Sequence, residues 1–175
     1  MPLLRHSSYL EFKRRRPGRP GGASVVLIHP PPAMEGRSSK DMLYAGLDAA
    51  SSTHPPQALT LLAAVLRENG YAPSLIDAEP LGWGARPTAE WAMKGDPRYV
   101  GLTSYTISIQ VAAAIAKIIK ALAKERGIET TVVIGGPHVT CLPAVCMAEH
   151  PEFDYGIFGE GEISFVELLD ALEAG

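Results

Sequence analysis

Five short apolar runs alternate with segments of helical periodicity, and that alternation constrains this chain more than any single motif. The runs are Ser24–His29 (Ser-Val-Val-Leu-Ile-His), Pro73–Asp77, Tyr99–Thr103, Thr130–Ile134 and Phe153–Phe158. Continuous apolar stretches of this length, rich in Val and Ile, are what a strand needs when both faces of its sheet are covered. Between them, Gln57–Asn69 carries Leu59, Leu62, Ala63 and Leu66 on one helical face and meets its stop at Gly70. Pro87–Lys94 reads as a short helix. Ser108–Arg126 is the strongest, with a stripe of Val111, Ile115, Ile118, Ile119 and Leu122 ending at Gly127. Pro143–Glu149 is a further short helix. Gly161–Leu172 closes the series, with Phe165, Leu168, Leu169 and Leu172 expected to face inward.

Strands that alternate with helices are joined by right-handed crossovers, so the sheet should be parallel and covered on both faces. The fold class expected is α/β: a flavodoxin-like (Rossmann-like) three-layer fold with a five-stranded parallel sheet in the order 2-1-3-4-5. Ligands of such sheets bind at the carboxyl ends of the strands, where strand order reverses. Here that places the loops after Ile28 and Thr103 beside the crevice, with the loop after the fourth strand next to them.

That fourth loop is the most distinctive. Val132 to Pro143 reads Val-Val-Ile-Gly-Gly-Pro-His-Val-Thr-Cys-Leu-Pro, a buried strand halted by two adjacent glycines. Without a Cβ at Gly135 and Gly136 the chain can turn sharply and let a flat, bulky ligand approach, although a tight strand-to-helix turn alone would also use them. Pro137 stiffens the turn, and His138 and Thr140 offer polar groups at its exit. After the third strand, Thr103-Ser104-Tyr105-Thr106 supplies hydroxyls that suit either ligand contact or capping of the long helix. After the fifth, Gly159-Glu160-Gly161-Glu162 allows close approach at a helix start, where glutamates also have a plain electrostatic role.

Several ligands are excluded by what is missing. The first loop is His29-Pro30-Pro31-Pro32 rather than Gly-x-Gly-x-x-Gly, and prolines lack the N–H groups that cradle phosphate. There is no P-loop, no acidic set for a receiver domain and no hydroxyl-rich flavin-phosphate loop. His29 reads as a strand-end histidine, facing solvent or a carbonyl, rather than a metal ligand. No second ligand accompanies His138, which argues against a metal site there. Cys141 and Cys146, placed on a loop and a short helix, are the only cysteines, which excludes a disulfide scaffold and is too few for an iron–sulfur cluster.

Gly-Gly-Pro-His-x-Thr, the hydroxyl cluster at Thr103 and Gly-Glu-Gly-Glu, in this order, resemble the cobalamin-binding domain of cobalamin-dependent radical SAM enzymes. Pro55-Pro56, the Leu59–Tyr71 helix and Asp77 fit the same pattern, and the resemblance covers about residues 24–173. It implies cobalamin as cofactor, with Thr103 beside the benzimidazole of the nucleotide tail and Gly135-Gly136 giving that tail room. The cofactor-binding set it implies is Pro31, Thr103, Ser104, Tyr105, Gly135, Gly136, Pro137, His138, Val139, Gly159, Glu160 and Gly161, with no catalytic residue and no metal ligand in the chain. Asp-x-His-x-x-Gly is absent, as is usual in this group, so a base-off cobalamin without a protein histidine is expected. Cys-x-x-x-Cys-x-x-Cys is also absent. S-adenosylmethionine and the iron–sulfur cluster would therefore belong to a radical SAM catalytic domain, in cis or in trans, that most often performs methyl transfer. The alternative is a flavodoxin-like small-ligand or protein-interaction module without cobalamin, in which a filled slot beside Thr103 and Gly135 would replace an open one.

Composition adds limits. Hydrophobic content of 46% and charged content of 20% are ordinary for a globular domain. No apolar run is long enough to span a bilayer, and the basic, apolar-poor N-terminus does not read as a signal peptide, so a cytoplasmic location is expected. Residues 1–22 carry a net charge of +5 against −3 for the whole chain. With Arg14-Arg15-Arg16-Pro-Gly-Arg-Pro they read as a flexible basic arm preceding a domain at 23–175. No aromatics interleave with these charges, which disfavours nucleic acid as a partner. The long segment from Pro30 to Pro55, with Met34, Met42, Leu43, Tyr44 and Leu47, reads as a cofactor cover, a docking element or a disordered loop.

Overall fold

The computed structural model describes residues 22–32 and 55–175. The basic arm up to residue 21 and the segment 33–54 lie outside the described residues. Five parallel strands, β1 (Ser24–His29), β2 (Ala72–Asp77), β3 (Tyr99–Thr103), β4 (Thr131–Gly135) and β5 (Tyr155–Gly156), form one sheet in the order β2-β1-β3-β4-β5. This is the order expected from the pattern of runs. The helices are α1 (Gln57–Glu68), α2 (Ala85–Ala92), α3 (Ile109–Arg126), α4 (Pro137–Cys141), α5 (Pro143–Glu149) and α6 (Gly161–Ala174), with a 3-10 turn at Met93–Gly95 after α2.

Alternation along each strand sorts the apolar side chains into two cores. Val25, Leu27, Tyr99 and Val133 point to one face and pack with Leu59, Leu66, Phe165 and Leu169 of α1 and α6. Val26, Ile28, Val100, Leu102, Val132 and Ile134 point to the other, where Ala89, Ile115, Ile119, Val139 and Cys146 cover them. Because both faces are buried, a register slip of one residue would exchange the two cores, and this fixes the pairing. Burying two such faces is also why the strands read as apolar runs rather than alternating ones.

Helix stops follow the glycines. Gly127 takes a left-handed conformation (φ 67°) and caps α3, while Gly70 (φ 87°) follows α1. Several boundaries shift by one or two residues from the sequence reading, and three differences have a physical reason. The fifth strand contracts from Phe153–Phe158 to Tyr155–Gly156 because Phe153 turns into the core. Its flanks keep the pairing, with Asp154 N–H donating to Val132 O and Ile157 N–H to Ile134 O. Helix α2 starts at Ala85, ahead of Pro87, since a proline is tolerated within the first turn. The stretch after the glycine pair is a short helix, α4, rather than a turn, so Cys141 ends a helix instead of lying on a loop.

Candidate functional site

All five strands run in one direction, so their carboxyl ends converge on one edge. Register then decides which residues meet there: Thr103 pairs with Gly135, and Gly101 with Val133. Gly101, Thr103, Val133 and Gly135 belong to the face covered by α1 and α6. Two of these four are glycines, which lowers the floor of the sheet. Above it lies a cavity of about 470 Å³, walled by Leu27 of β1, Ala58, Leu59 and Leu62 of α1, and Phe165 of α6. The loops after β3, β4 and β5 form its mouth. Its lining is mostly apolar, within the size range of small-molecule sites.

The two adjacent glycines do different work. A Cβ on Gly135 would come no nearer than 3.7 Å to another atom, the carbonyl oxygen of Ile157, so the missing side chain there is open cavity. A Cβ on Gly136 would stand 2.6 Å from Thr103 Oγ1 and 2.8 Å from both Ser104 N and Ser104 O. Gly136 also has φ 98° and ψ −178°, a region essentially reserved for glycine. Gly136 therefore lets the β3 and β4 loops pack against each other, while Gly135 leaves the space beneath them empty.

Of the residues singled out in the sequence, Thr103, Tyr105, Gly135, Gly136, Pro137, Gly159, Glu160 and Gly161 line this cavity together. Thr103 is half-buried in the floor, and Tyr105 is exposed at the mouth. The others are placed elsewhere. Ser104 and Val139 are fully buried, and His138 is 9% exposed. Ser104 N–H donates to Gly135 O at 2.9 Å, and its hydroxyl lies 3.3 Å from the same carbonyl. His138 Nδ1 lies 3.2 Å from Thr106 Oγ1. Pro31 is half-buried in the loop after β1 and is not among the cavity's lining residues.

Neither Thr103 nor Ser104 caps the long helix. Ser108 precedes α3, and its hydroxyl accepts the N–H of Tyr105 at 3.0 Å, closing the turn that leads into the helix. His29 is part-buried and turns to a carboxylate rather than a carbonyl: its Nδ1 is 2.9 Å from Asp77 Oδ1, which ties the ends of β1 and β2. Among the described residues, no group of three or more His, Cys, Asp or Glu is placed to hold a metal ion. No helix there is long and apolar enough to cross a membrane.

Gly101, Phe165, Thr140 and Cys141 line the cavity without having been singled out as binding residues. Gly101 carried a legible signal, since a glycine inside a strand marks close approach of another group. A Cβ there would stand 3.0 Å from Leu27 Cδ2 and 3.1 Å from Phe165 Cζ.

The profile of the B12 binding domain family matches residues 45–169. An uncharacterized methyltransferase of Pyrococcus horikoshii, PH0819, is 40% identical over 126 residues, which is 71% of this chain and 26% of that protein. The cobalamin-dependent radical SAM methyltransferase TokK of Streptomyces tokunonensis is 36% identical over 74 residues, 42% of this chain and 10% of TokK. The chain thus spans about a quarter or less of the length of these relatives. In fold it is similar to the cobalamin-dependent S-adenosylmethionine radical enzyme OxsB, solved with aqua-cobalamin and S-adenosylmethionine bound. The TM-score is 0.66 at 14% identity, over 88% of this chain and 19% of OxsB. With a matching profile over most of its length and the fold's ligand edge open into a cavity, this chain belongs to the B12 binding domain family.

Proposed function

We propose that residues 23–175 bind cobalamin base-off, with the nucleotide tail in the cavity and no protein histidine beneath cobalt, as the cofactor domain of a radical SAM methyltransferase. The observation that carries this reading is the open slot between the sheet and α1, floored by Gly135 where a Cβ would meet only Ile157 O at 3.7 Å. A flat corrinoid with a long tail needs both a shallow rim and a deep channel. Thr103 offers a hydroxyl in the floor, and Leu59, Leu62 and Phe165 offer apolar walls for an aromatic base. The glycines of the β4 and β5 loops let the main chain approach at the mouth.

When bound, cobalamin would supply a methyl group for transfer to a substrate activated elsewhere. The residues of this chain bind, orient and shield it; none of those described forms a nucleophile–base pair. Among the described residues, the two histidines at this end of the sheet have partners already, His29 with Asp77 and His138 with Thr106. A catalytic partner with its own cluster and S-adenosylmethionine, in cis or in trans, fits relatives of which the matched stretch is only 26% and 10%.

The test is to mix the chain with hydroxocobalamin, remove free cofactor by gel filtration and record the visible spectrum. Retained corrinoid with a base-off spectrum is expected. Colourless but folded protein, judged by circular dichroism, would overturn the reading in favour of a flavodoxin-like module that uses the same edge for another ligand or a partner protein.

A further inference from the structure

Helix α4 touches both neighbouring loops of the site. Thr140 Oγ1 donates to Gly136 O at 3.0 Å and accepts the N–H of Gly159 at 3.0 Å. A single hydroxyl thus joins the glycine turn after β4 to the loop after β5. On the other flank, His138 N–H donates to Ser104 O at 3.1 Å, and its Nδ1 reaches Thr106 Oγ1. These bonds fasten α4 to the loop after β3. Three of the loops that line the cavity therefore meet at one five-residue helix.

The need for such ties follows from the local structure. A helix of five residues has no stability of its own and must be held by its surroundings. Strand β5 is only two residues long, and its pairing with β4 reaches only to Ile157, two residues short of Gly159. Gly159 has φ 77°, and its N–H would face solvent without Thr140. Thr140 is itself exposed and belongs to neither apolar core, so its bonds serve the loops rather than the fold.

We propose that Thr140 and His138 are positioning residues that set the spacing of the cavity's loops before ligand arrives. The His-x-Thr of Gly-Gly-Pro-His-x-Thr then acts through its neighbours: one side chain ties the β3 loop and the other ties the β5 loop. Pre-fixing loops raises affinity because the ligand no longer bears the ordering loss. This inference rests on the cobalamin reading above.

The test uses the full chain and four proteins: wild type, Thr140→Val, Thr140→Ser and His138→Phe. Hydroxocobalamin affinity is measured by titration, and exchange of the Gly159 amide by NMR in ligand-free protein. Valine keeps the shape of threonine but cannot bond, so the amide should exchange faster and affinity should fall about tenfold. That is the loss expected when one or two ordinary hydrogen bonds no longer hold the free site. Serine keeps the hydroxyl and should restore both quantities. His138→Phe, which keeps the buried ring and removes the Thr106 bond, should weaken binding without altering Gly159 exchange. Faster exchange in Thr140→Val with unchanged affinity would overturn the proposal, as would a loss of affinity in the serine variant that valine does not share, since valine keeps the methyl that serine lacks and that pattern would mean direct contact of the methyl with the ligand. Wild-type protein that binds no cobalamin would defeat the cofactor reading instead, and Gly159 exchange would still report whether the tie exists.

Discussion

Gly136→Ala and Gly135→Leu should separate folding from binding at two adjacent positions. At Gly136 the added methyl would stand 2.6 Å from Thr103 Oγ1 and 2.8 Å from the Ser104 backbone. Main chain cannot swing aside as a side-chain tip does, and Ser104 is doubly engaged: its N–H bonds Gly135 O and its carbonyl accepts from His138. Moving it breaks contacts on both sides. Conformational strain at φ 98° and ψ −178° costs roughly 1–3 kcal/mol, and overpacking a further 1–3 kcal/mol. The sum, about 2–6 kcal/mol, is a large share of the ~5–15 kcal/mol that stabilises a typical domain.

At Gly135 neither penalty applies. The backbone is ordinary strand, and the nearest atom to a new Cβ is at van der Waals distance. Leucine there should leave stability within about 1 kcal/mol, because it enters empty space rather than occupied space. It should nonetheless cut hydroxocobalamin binding at least tenfold by filling the floor of the slot. Urea unfolding followed by circular dichroism gives the stabilities, and gel filtration with visible spectroscopy gives retention. A Gly136→Ala variant as stable as wild type would refute the packing argument. A Gly135→Leu variant that keeps full affinity would refute the placement of the ligand.

The sheet was legible because burial on both faces leaves a strong mark: Val25–Ile28 and Val132–Ile134 cannot be confused with loop, and right-handed crossovers leave few orders for five such strands. The cavity was legible only through the glycines and hydroxyls that end those strands. What the sequence left open depends on contacts between segments far apart in the chain. His29 finds Asp77 forty-eight residues away, and His138 finds Thr106, neither of which a local pattern can announce. Phe165 was readable as core, but its place over Gly101 at the cavity wall follows from how α6 crosses the sheet. Strand β5 was read too long because Phe153 is apolar for a different reason: it fills the core below α3 rather than continuing the ladder. Thr140 looked like a polar group at a turn's exit, and only the fold brings Gly159 to it.

Three further outcomes follow from the same contacts. Iodoacetamide should label Cys141, which is exposed and lines the cavity, far faster than Cys146, whose thiol is fully buried and pushed up by that burial. Bound hydroxocobalamin should slow the Cys141 adduct in mass spectra, and equal labelling of both cysteines would contradict the packing of α5. Asp154→Ala should destabilise the domain by about 1–2 kcal/mol in urea, since it leaves Lys120 with only the Thr130 carbonyl at 2.9 Å and leaves the Val132 N–H, now bonded at 2.7 Å, unsatisfied. An unchanged midpoint would argue that Lys120 and Asp154 do not brace α3 against the β4–β5 edge. The last concerns alkali. Burial, then the hydrogen bond to Glu173 at 2.7 Å, pushes the Tyr99 hydroxyl from 10.0 up to about 12. Tyr71, bonded to Asp170, is raised further for the same reasons. A raised folded-state value means that both states are protonated below pH 10, where the full stabilisation is present. Between pH 10 and 12 the unfolded chain ionises first and pulls the equilibrium toward itself. Two units correspond to at most about 2.7 kcal/mol from Tyr99, less where water reaches the hydroxyl. Because Tyr71 and Tyr99 grip the C-terminal turns of α6, whose first turns wall the cavity, stability should fall steeply above pH 10. Tyr99→Phe should flatten that fall while lowering stability at neutral pH by the value of one hydrogen bond, about 1 kcal/mol. A Tyr99→Phe profile parallel to that of wild type from pH 10 to 12 would show that this hydroxyl is not what couples the helix to the sheet.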